Sequence, residues 1–429
     1  MQYYSTRNKS LCANFSTAVL SGLAGDGGLF VPQEIPSYPS TVLASLESMP
    51  FCDIAVETIR PFVGGEIPPS VLGDIVSSAY TFDAPLVKVG GMYVLELFHG
   101  PTAAFKDFGA RFMARAFSYL RRGESRPLKI LVATSGDTGG AVADGFFGVE
   151  GISVTVLYPK GRVSPLQECQ IAGLGNNISA IAVEGSFDDC QRLVKAAFGN
   201  DALKKRLDLS SANSINIARL IPQAIYYTAA SVSKSLNERG QPIVCCVPSG
   251  NFGNLTAGMY AQKMGAPIRE FIAATNINKT FPCYLESGSY QARDSMPTIS
   301  NAMDVGAPSN FERMCAHWTL DEMQKLILST YINDDDTRNT IKNVYGKYAY
   351  ILDPHTAVAW CAACNLKEKL KDKNAPIAVL STAHPAKFSD TVEPLTEKIP
   401  LPQSLQKAMQ RKVVSKTIPA NLDALLALL

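Results

Sequence analysis

The sequence predicts an α/β fold of parallel sheets covered by helices on both faces, and two observations carry the prediction. Short β-prone apolar runs alternate over most of the chain with segments whose apolar residues recur at helical spacing. Strands alternating with helices in this way belong to parallel sheets buried on both sides. The turns leaving several of those runs are rich in Gly, Ser, Thr and Asn, and they fall where such folds bind ligands, outside the carboxyl ends of strands.

Taken in order, the first 80 or so residues mix short helical patterns with turns such as Gly25-Asp26-Gly27-Gly28, and residues 1–90 read as an N-terminal segment. Residues 92–97 are β-prone and run into His99-Gly100-Pro101-Thr102. From there Phe105, Phe108, Phe112, Met113, Ala116, Phe117 and Leu120 recur at helical spacing. Residues 129–134 form a buried strand, 135–140 a turn opening a helix over 141–147, 152–158 and 178–183 two further strands, and 187–198 a helix. Residues 91–230 thus make a smaller α/β unit, closed by a helical stretch around 219–234. The pattern resumes with a strand at 242–247, a turn at 249–254, a helix at 257–264 and a strand at 270–274, and it returns with a strand at 376–380. Residues 231–429 make the larger unit, and the apolar spacing of Leu422 to Leu429 docks that tail on the core.

At 429 residues, 46% hydrophobic and 18% charged, the chain has the material for two or three globular domains. Forty Lys and Arg against 38 Asp and Glu leave a formal charge of +2, which points to no nucleic acid and no strongly acidic partner. No apolar run approaches the ~18 residues that cross a bilayer, so no membrane is expected. The ten cysteines are scattered, and Met1 to Leu20 lack the pattern of a secretory signal, which suits a cytoplasmic protein with free thiols. Cys361 and Cys364 form a CxxC inside an apolar helical pattern with no second pair to match it, and no His, Cys or carboxylate spacing suggests a metal.

Three segments carry chemistry. Ser249-Gly250-Asn251-Phe252-Gly253-Asn254 joins an apolar strand to a helix, so glycines permit close backbone approach and the helix start offers free N–H groups to a phosphate. An ordinary strand-to-helix turn carries the same pattern. Lys106, among Phe105 and Phe108 at the start of a helix, is partly desolvated and near the positive helix end, two effects that favour the neutral amine required for Schiff-base chemistry. A surface lysine laying its stem on apolar neighbours would look alike. Thr134-Ser135-Gly136-Asp137-Thr138-Gly139 offers hydroxyls and amides to a carboxylate, or else is a helix capped by Ser135 or Asp137.

Together these segments resemble the threonine synthases, a branch of the tryptophan-synthase-like pyridoxal-phosphate enzymes of fold type II. The resemblance lies in residues 99–107, 133–139 and 247–254, and extends to 26–32, 211–216, 301–304 and 382–388, so that it spans nearly the whole chain in family order. It implies two doubly wound parallel-sheet domains with the cofactor between them, beside the small N-terminal segment. It implies pyridoxal 5'-phosphate in a Schiff base with Lys106, its phosphate held by Ser249, Gly250, Asn251, Phe252, Gly253 and Asn254, and its ring nitrogen hydrogen-bonded by Thr382. Thr134, Ser135, Asp137 and Thr138 would receive the substrate carboxylate, with Asp137 near the cofactor ring oxygen. Lys160, Arg162, Asn213, Asn216 and Arg219 are the candidates for the substrate phosphate, two of the five being expected to hold it. The implied reaction converts O-phospho-L-homoserine and water to L-threonine and phosphate by β,γ-elimination and replacement, in a monomer or homodimer. A phospho-lyase or dehydratase releasing a 2-oxo acid would keep the lysine and the phosphate turn. A non-catalytic ligand-binding protein would have no use for Lys106.

Overall fold

The computed structural model describes residues 1–236 and 241–429. Three short strands open the chain, β1 (Gln2–Ser5), β2 (Cys12–Asn14) and β3 (Phe30–Pro32), and a hairpin follows, β4 (Leu86–Val89) and β5 (Met92–Glu96). Next come β6 (Leu128–Ala133), β7 (Ile152–Pro159), β8 (Ile178–Glu184) and β9 (Asp208–Ser211). Then come β10 (Ile243–Pro248), β11 (Ile268–Thr275), β12 (Ile327–Tyr331), β13 (Ile377–Ser381) and finally β14 (Lys416–Pro419).

These strands form three sheets. The N-terminal sheet, ordered β2-β1-β3, is antiparallel. A six-stranded sheet runs β12-β11-β10-β13-β5-β4, parallel except for the β4–β5 hairpin at its edge. A five-stranded sheet runs β14-β8-β7-β6-β9 and is parallel throughout. The apolar runs are buried as their composition requires: all six residues of β10 and all five of β13 lie inside.

The sheets cut across the linear segments read from the sequence. β5, expected to open the smaller unit, pairs with β13 in the six-stranded sheet, and β14 returns from the C-terminal end to pair with β8 in the five-stranded one. Local β-propensity marks a strand but leaves its partner open, because pairing is decided by long-range burial. Two helices also begin earlier than their apolar spacing suggests, at Asp137 and at Gly253. Gly139, Gly140 and Gly253 have poor helix propensity, yet here they form the first turns.

The N-terminal segment is welded to the helix Lys106–Leu120 rather than appended. The ring of Phe108, fully buried, packs at 5.1–6.1 Å from those of Phe82, Tyr226, Tyr80 and Phe51, and the Tyr80 hydroxyl donates to the Phe108 carbonyl. At the other end, Leu425 of the tail is buried in the cluster of Cys190, Leu193 and Val194, so the C-terminal stretch is docked core. Cys361 and Cys364 lie on the helix Pro354–Leu366 as free thiols. Phe108→Ala should cost about 3–5 kcal/mol of stability, read from the denaturant midpoint. A loss below about 1 kcal/mol would show that this cluster repacks freely.

Candidate active site

Four loops meet in one place. Three leave the carboxyl ends of neighbouring strands of the six-stranded sheet, after β10, β13 and β5, and the fourth leaves β6 of the five-stranded sheet. The loop after β5 is stitched to the loop after β13. Leu97 N–H donates to the Ser381 carbonyl at 2.9 Å, Phe105 N–H to the Thr382 carbonyl at 2.9 Å and His384 N–H to the Ala103 carbonyl at 3.0 Å, around an antiparallel bridge between Ala104 and Ala383. This seam holds Ala103 at φ 54°, a left-handed conformation that a residue with a Cβ adopts only when its surroundings force it. Lys106 follows directly as the first residue of its helix.

The Lys106 amine makes no hydrogen bond among the described residues. Burial pulls it down to about 8, with Asp137 opposing and Lys387 and Arg219 adding to the effect. It is therefore an amine that sheds its proton near neutral pH, unlike a surface lysine.

Lys387 is the residue that sequence reasoning missed. Its fully buried ammonium donates to the Thr102 carbonyl at 2.8 Å, in the Lys106 loop, and pairs with the Asp137 carboxylate at 2.8 Å, in the loop after β6. Gln170 donates to the same Thr102 carbonyl at 3.1 Å, and Gln167 to the same Asp137 oxygen at 3.0 Å. One cation thereby ties three of the four loops. Burial pushes the Asp137 carboxyl upward, but Lys387 and then Lys106 outweigh it and hold the group well below the usual carboxylate range. Asp107 accepts from the Thr102 N–H at 2.8 Å and its hydroxyl at 2.6 Å, and its burial raises it to about 7. The signal was present in both motifs, 99–107 and 382–388, but a buried lysine cannot be told from an exposed one by its neighbours in sequence.

The loop after β6 is held by its own threonine. The Thr134 hydroxyl accepts from Gly136 N–H at 2.9 Å and Gly139 N–H at 2.8 Å. Gly136 sits at φ 144°, where a Cβ would also strike the Gln167 side chain. It is the N-cap of the helix Asp137–Phe146 and brings no side chain of its own, and neither Ser135 nor Asp137 caps the helix; the Thr134 hydroxyl takes the Gly139 N–H instead. Ser135 and Thr138 stay partly open at its mouth.

The turn after β10 has the same character. Its helix Gly253–Met264 starts uncapped behind Phe252, at φ 60°. A Cβ on Gly250 would lie 2.7 Å from the Met303 Cα. Ser249 donates to the Val247 carbonyl at 2.9 Å. Asn251 is engaged on both sides, donating to the Ser214 hydroxyl and accepting from Ser309 N–H, each at 2.5 Å. The Asn254 oxygen accepts from Tyr226 at 2.6 Å and Tyr227 at 2.8 Å, while its buried Nδ2 has no partner among the described residues. Free helix amides, a glycine cradle and an orphaned donor fit a phosphate. The Thr382 hydroxyl is unpaired among the described residues, its carbonyl being spent on Phe105.

The five candidates for a second phosphate part company. Arg219 is buried, donates to the Ala212 carbonyl at 2.6 Å, has an unpartnered Nε and acts on Lys106. Asn213 donates to the Ala133 carbonyl at 2.9 Å, beside the Thr134 loop. The Asn216 amide is spent on the Val19 and Ser211 carbonyls and on capping Ala218. Lys160 stands exposed beyond β7, paired with Glu184, and Arg162 is exposed too. Neither supplies the field at Lys106. Two histidines in the motif region serve structure. His384 accepts from Ala386 N–H, and burial lowers it to about 4. His355, paired with Asp353, accepts from Ala302 N–H beside Met303.

Three family models match the chain: threonine synthase N terminus over residues 2–80, pyridoxal-phosphate dependent enzyme over 82–382, and threonine synthase, C-terminal, over 356–428. A threonine synthase of Haemophilus influenzae is 44% identical over 97% of this chain and 96% of its own length. The crystal structure of threonine synthase from Escherichia coli superposes with a TM-score of 0.90 at 39% identity, covering 100% of this chain and 99% of that one. That of the PLP-bound threonine synthase from Brucella melitensis gives 0.92 at 37%, covering 100% and 98%.

Lys387→Met takes the paired cation from the buried Asp137 charge and leaves it the Gln167 amide, and should cost about 3–5 kcal/mol in denaturant unfolding. Adding Asp137→Asn should return at least about 1 kcal/mol of that loss. Strictly additive losses would mean that the two groups do not depend on each other.

Proposed function

The chain belongs to the threonine synthases of the pyridoxal-phosphate-dependent enzyme family, and we propose how its residues divide the conversion of O-phospho-L-homoserine and water into L-threonine and phosphate. The observation that carries the proposal is Lys106: an amine without a hydrogen bond among the described residues, down to about 8, in a cluster of four loops that includes the uncapped glycine turn after β10.

Pyridoxal 5'-phosphate, when bound, supplies an electron sink for the pair left as a C–H bond beside the substrate amine breaks. Lys106 Nζ would hold it covalently. The residues 249–254 would take its phosphate on free amides and on Asn254 Nδ2, and the Thr382 hydroxyl would meet its ring nitrogen. A neutral hydroxyl there does not force a proton onto the ring as a carboxylate does, which suits elimination and replacement. The start of the helix Asp137–Phe146, with Ser135 and Thr138, would receive the substrate carboxylate, while the Thr134 hydroxyl keeps that turn in shape. Asp137, kept ionised by Lys387, would stand near the cofactor ring oxygen. Arg219 is the buried cation we assign to the substrate phosphate, where a guanidinium stabilises the charge of the leaving group. Released from its covalent duty, Lys106 Nζ would take the Cα proton and then one Cβ proton as the Cγ–O bond breaks and phosphate leaves, and it would return one proton to Cγ and, once water has added at Cβ, one to Cα. The free cysteines favour a cytoplasmic setting, and a monomer or homodimer is the assembly we propose. No helix among the described residues is long and apolar enough to cross a membrane.

The test is an assay of O-phospho-L-homoserine in which threonine, phosphate and 2-oxobutyrate are measured together. Threonine and phosphate should form in equal amounts, and Lys106→Ala should abolish both. Phosphate accompanied by 2-oxobutyrate would make the enzyme a phospho-lyase. The pH dependence of cofactor uptake by the unloaded enzyme gives a second check, since only the neutral amine reacts. The rate should rise about tenfold per pH unit below a midpoint near 8 and level off above it. A midpoint near the ordinary lysine value of about 10.4 would show that the amine is solvated.

A further inference from the structure

Away from the Lys106 pocket, Arg313 is the largest fully buried side chain, and it has no carboxylate partner among the described residues. A buried guanidinium is tolerated only if its donors are satisfied, and here main-chain carbonyls of two distant segments do most of that work. Its Nε donates to the Phe30 carbonyl of β3 at 3.1 Å. Its Nη1 donates to the Ser214 carbonyl at 3.2 Å and to Asn310 Oδ1 at 2.7 Å, and its Nη2 to the Ile215 carbonyl. Only a planar fork reaches all of these at once.

Those contacts converge on the turn after β10. Asn310, oriented by Arg313, donates Nδ2 to the Asn251 carbonyl at 3.1 Å and to the Ser214 carbonyl at 3.5 Å. The Asn251 side chain is gripped by Ser214 and Ser309, the first held by Arg313 directly and the second adjoining Asn310. Next to Asn251, Phe252 keeps its left-handed backbone, a conformation that persists only where the surroundings over-determine it. Nothing in the mechanism above uses Arg313, yet two of the three clamps on Asn251, from Ser214 and Asn310, come from residues it holds.

We propose that Arg313 is a positioning residue for the anion-binding turn 249–254, joining the docked N-terminal sheet and the grip on the cofactor's phosphate into one hydrogen-bonded unit. The proposal rests on the assignment of that turn to the phosphate, and its test separates the two. Dissociation constants of the unloaded enzyme are measured for pyridoxal 5'-phosphate and for pyridoxal, which lacks the phosphate, together with thermal midpoints. Three variants are compared. Arg313→Met removes the donors, Arg313→Lys keeps the charge without the fork, and Asn310→Asp keeps the acceptor for Arg313 but loses the donor to Asn251. Arg313→Met and Asn310→Asp should weaken pyridoxal 5'-phosphate by about tenfold or more, the scale seen when outer partners of a binding group are lost. Pyridoxal affinity should be unchanged, and Arg313→Lys should fall between. If Arg313→Met does not fold, Asn310→Asp decides, since it leaves the guanidinium its partners. A lowered thermal midpoint with the wild-type preference for the phosphorylated form retained would reduce Arg313 to a structural role and overturn the proposal. If the wild type itself binds both compounds equally, the phosphate assignment of the turn fails, and the proposal falls with it.

Discussion

A single buried ammonium, that of Lys387, sets the terms for the rest of the site. With no exposed surface, it must be neutralised and hydrogen-bonded where it stands, because an unpaired charge in the interior costs several kcal/mol. Its partners are the Thr102 carbonyl and the Asp137 carboxylate, one from each sheet's side of the site. The relative position of the two α/β layers is therefore constrained where the chemistry happens. The same cation keeps Asp137 an anion and adds to burial in lowering the Lys106 amine from the ordinary lysine range. A salt bridge that stabilised only the fold would have no reason to lie within the field of the one reactive amine.

The remaining tensions in the site all leave something for a ligand to complete. The helix at Gly253 starts without a side-chain cap, although a cap is usually worth ~1 kcal/mol. Ala103 and Phe252 hold left-handed backbones in the loops after β5 and β10, and Asn254 Nδ2 and Arg219 Nε are buried without partners among the described residues. The seam between residues 97–105 and 381–384 and the network around Arg313 supply the rigidity that lets these unfavourable features persist.

Much of this was legible in the residues, and the exceptions have physical causes. β6, β10 and β13 were readable because a strand buried on both faces is apolar throughout, and their loops because glycines and hydroxyls mark a strand-to-helix turn. β9, with its Asp208-Leu209-Ser210-Ser211, and β14, opening on an exposed lysine, are short and polar, so only pairing makes them strands. β5 was seen, but its neighbour β13 lies far along the chain, and no local pattern encodes that. Lys387 and Arg313 carried no local mark in the sequence, because a buried charge is defined by distant partners. Asn216 looked like a ligand for the opposite reason: its amide is polar and in a motif segment, yet it is consumed by Val19, Ser211 and the helix it caps.

The central claim is that Lys106, and no other amine, carries the cofactor. Borohydride reduction of the loaded enzyme, which makes a cofactor–amine bond permanent, followed by peptide mapping, addresses it directly. The label should sit on Lys106 alone. Label on Lys387, the other amine acting at this site, or on a surface lysine such as Lys160 would contradict it.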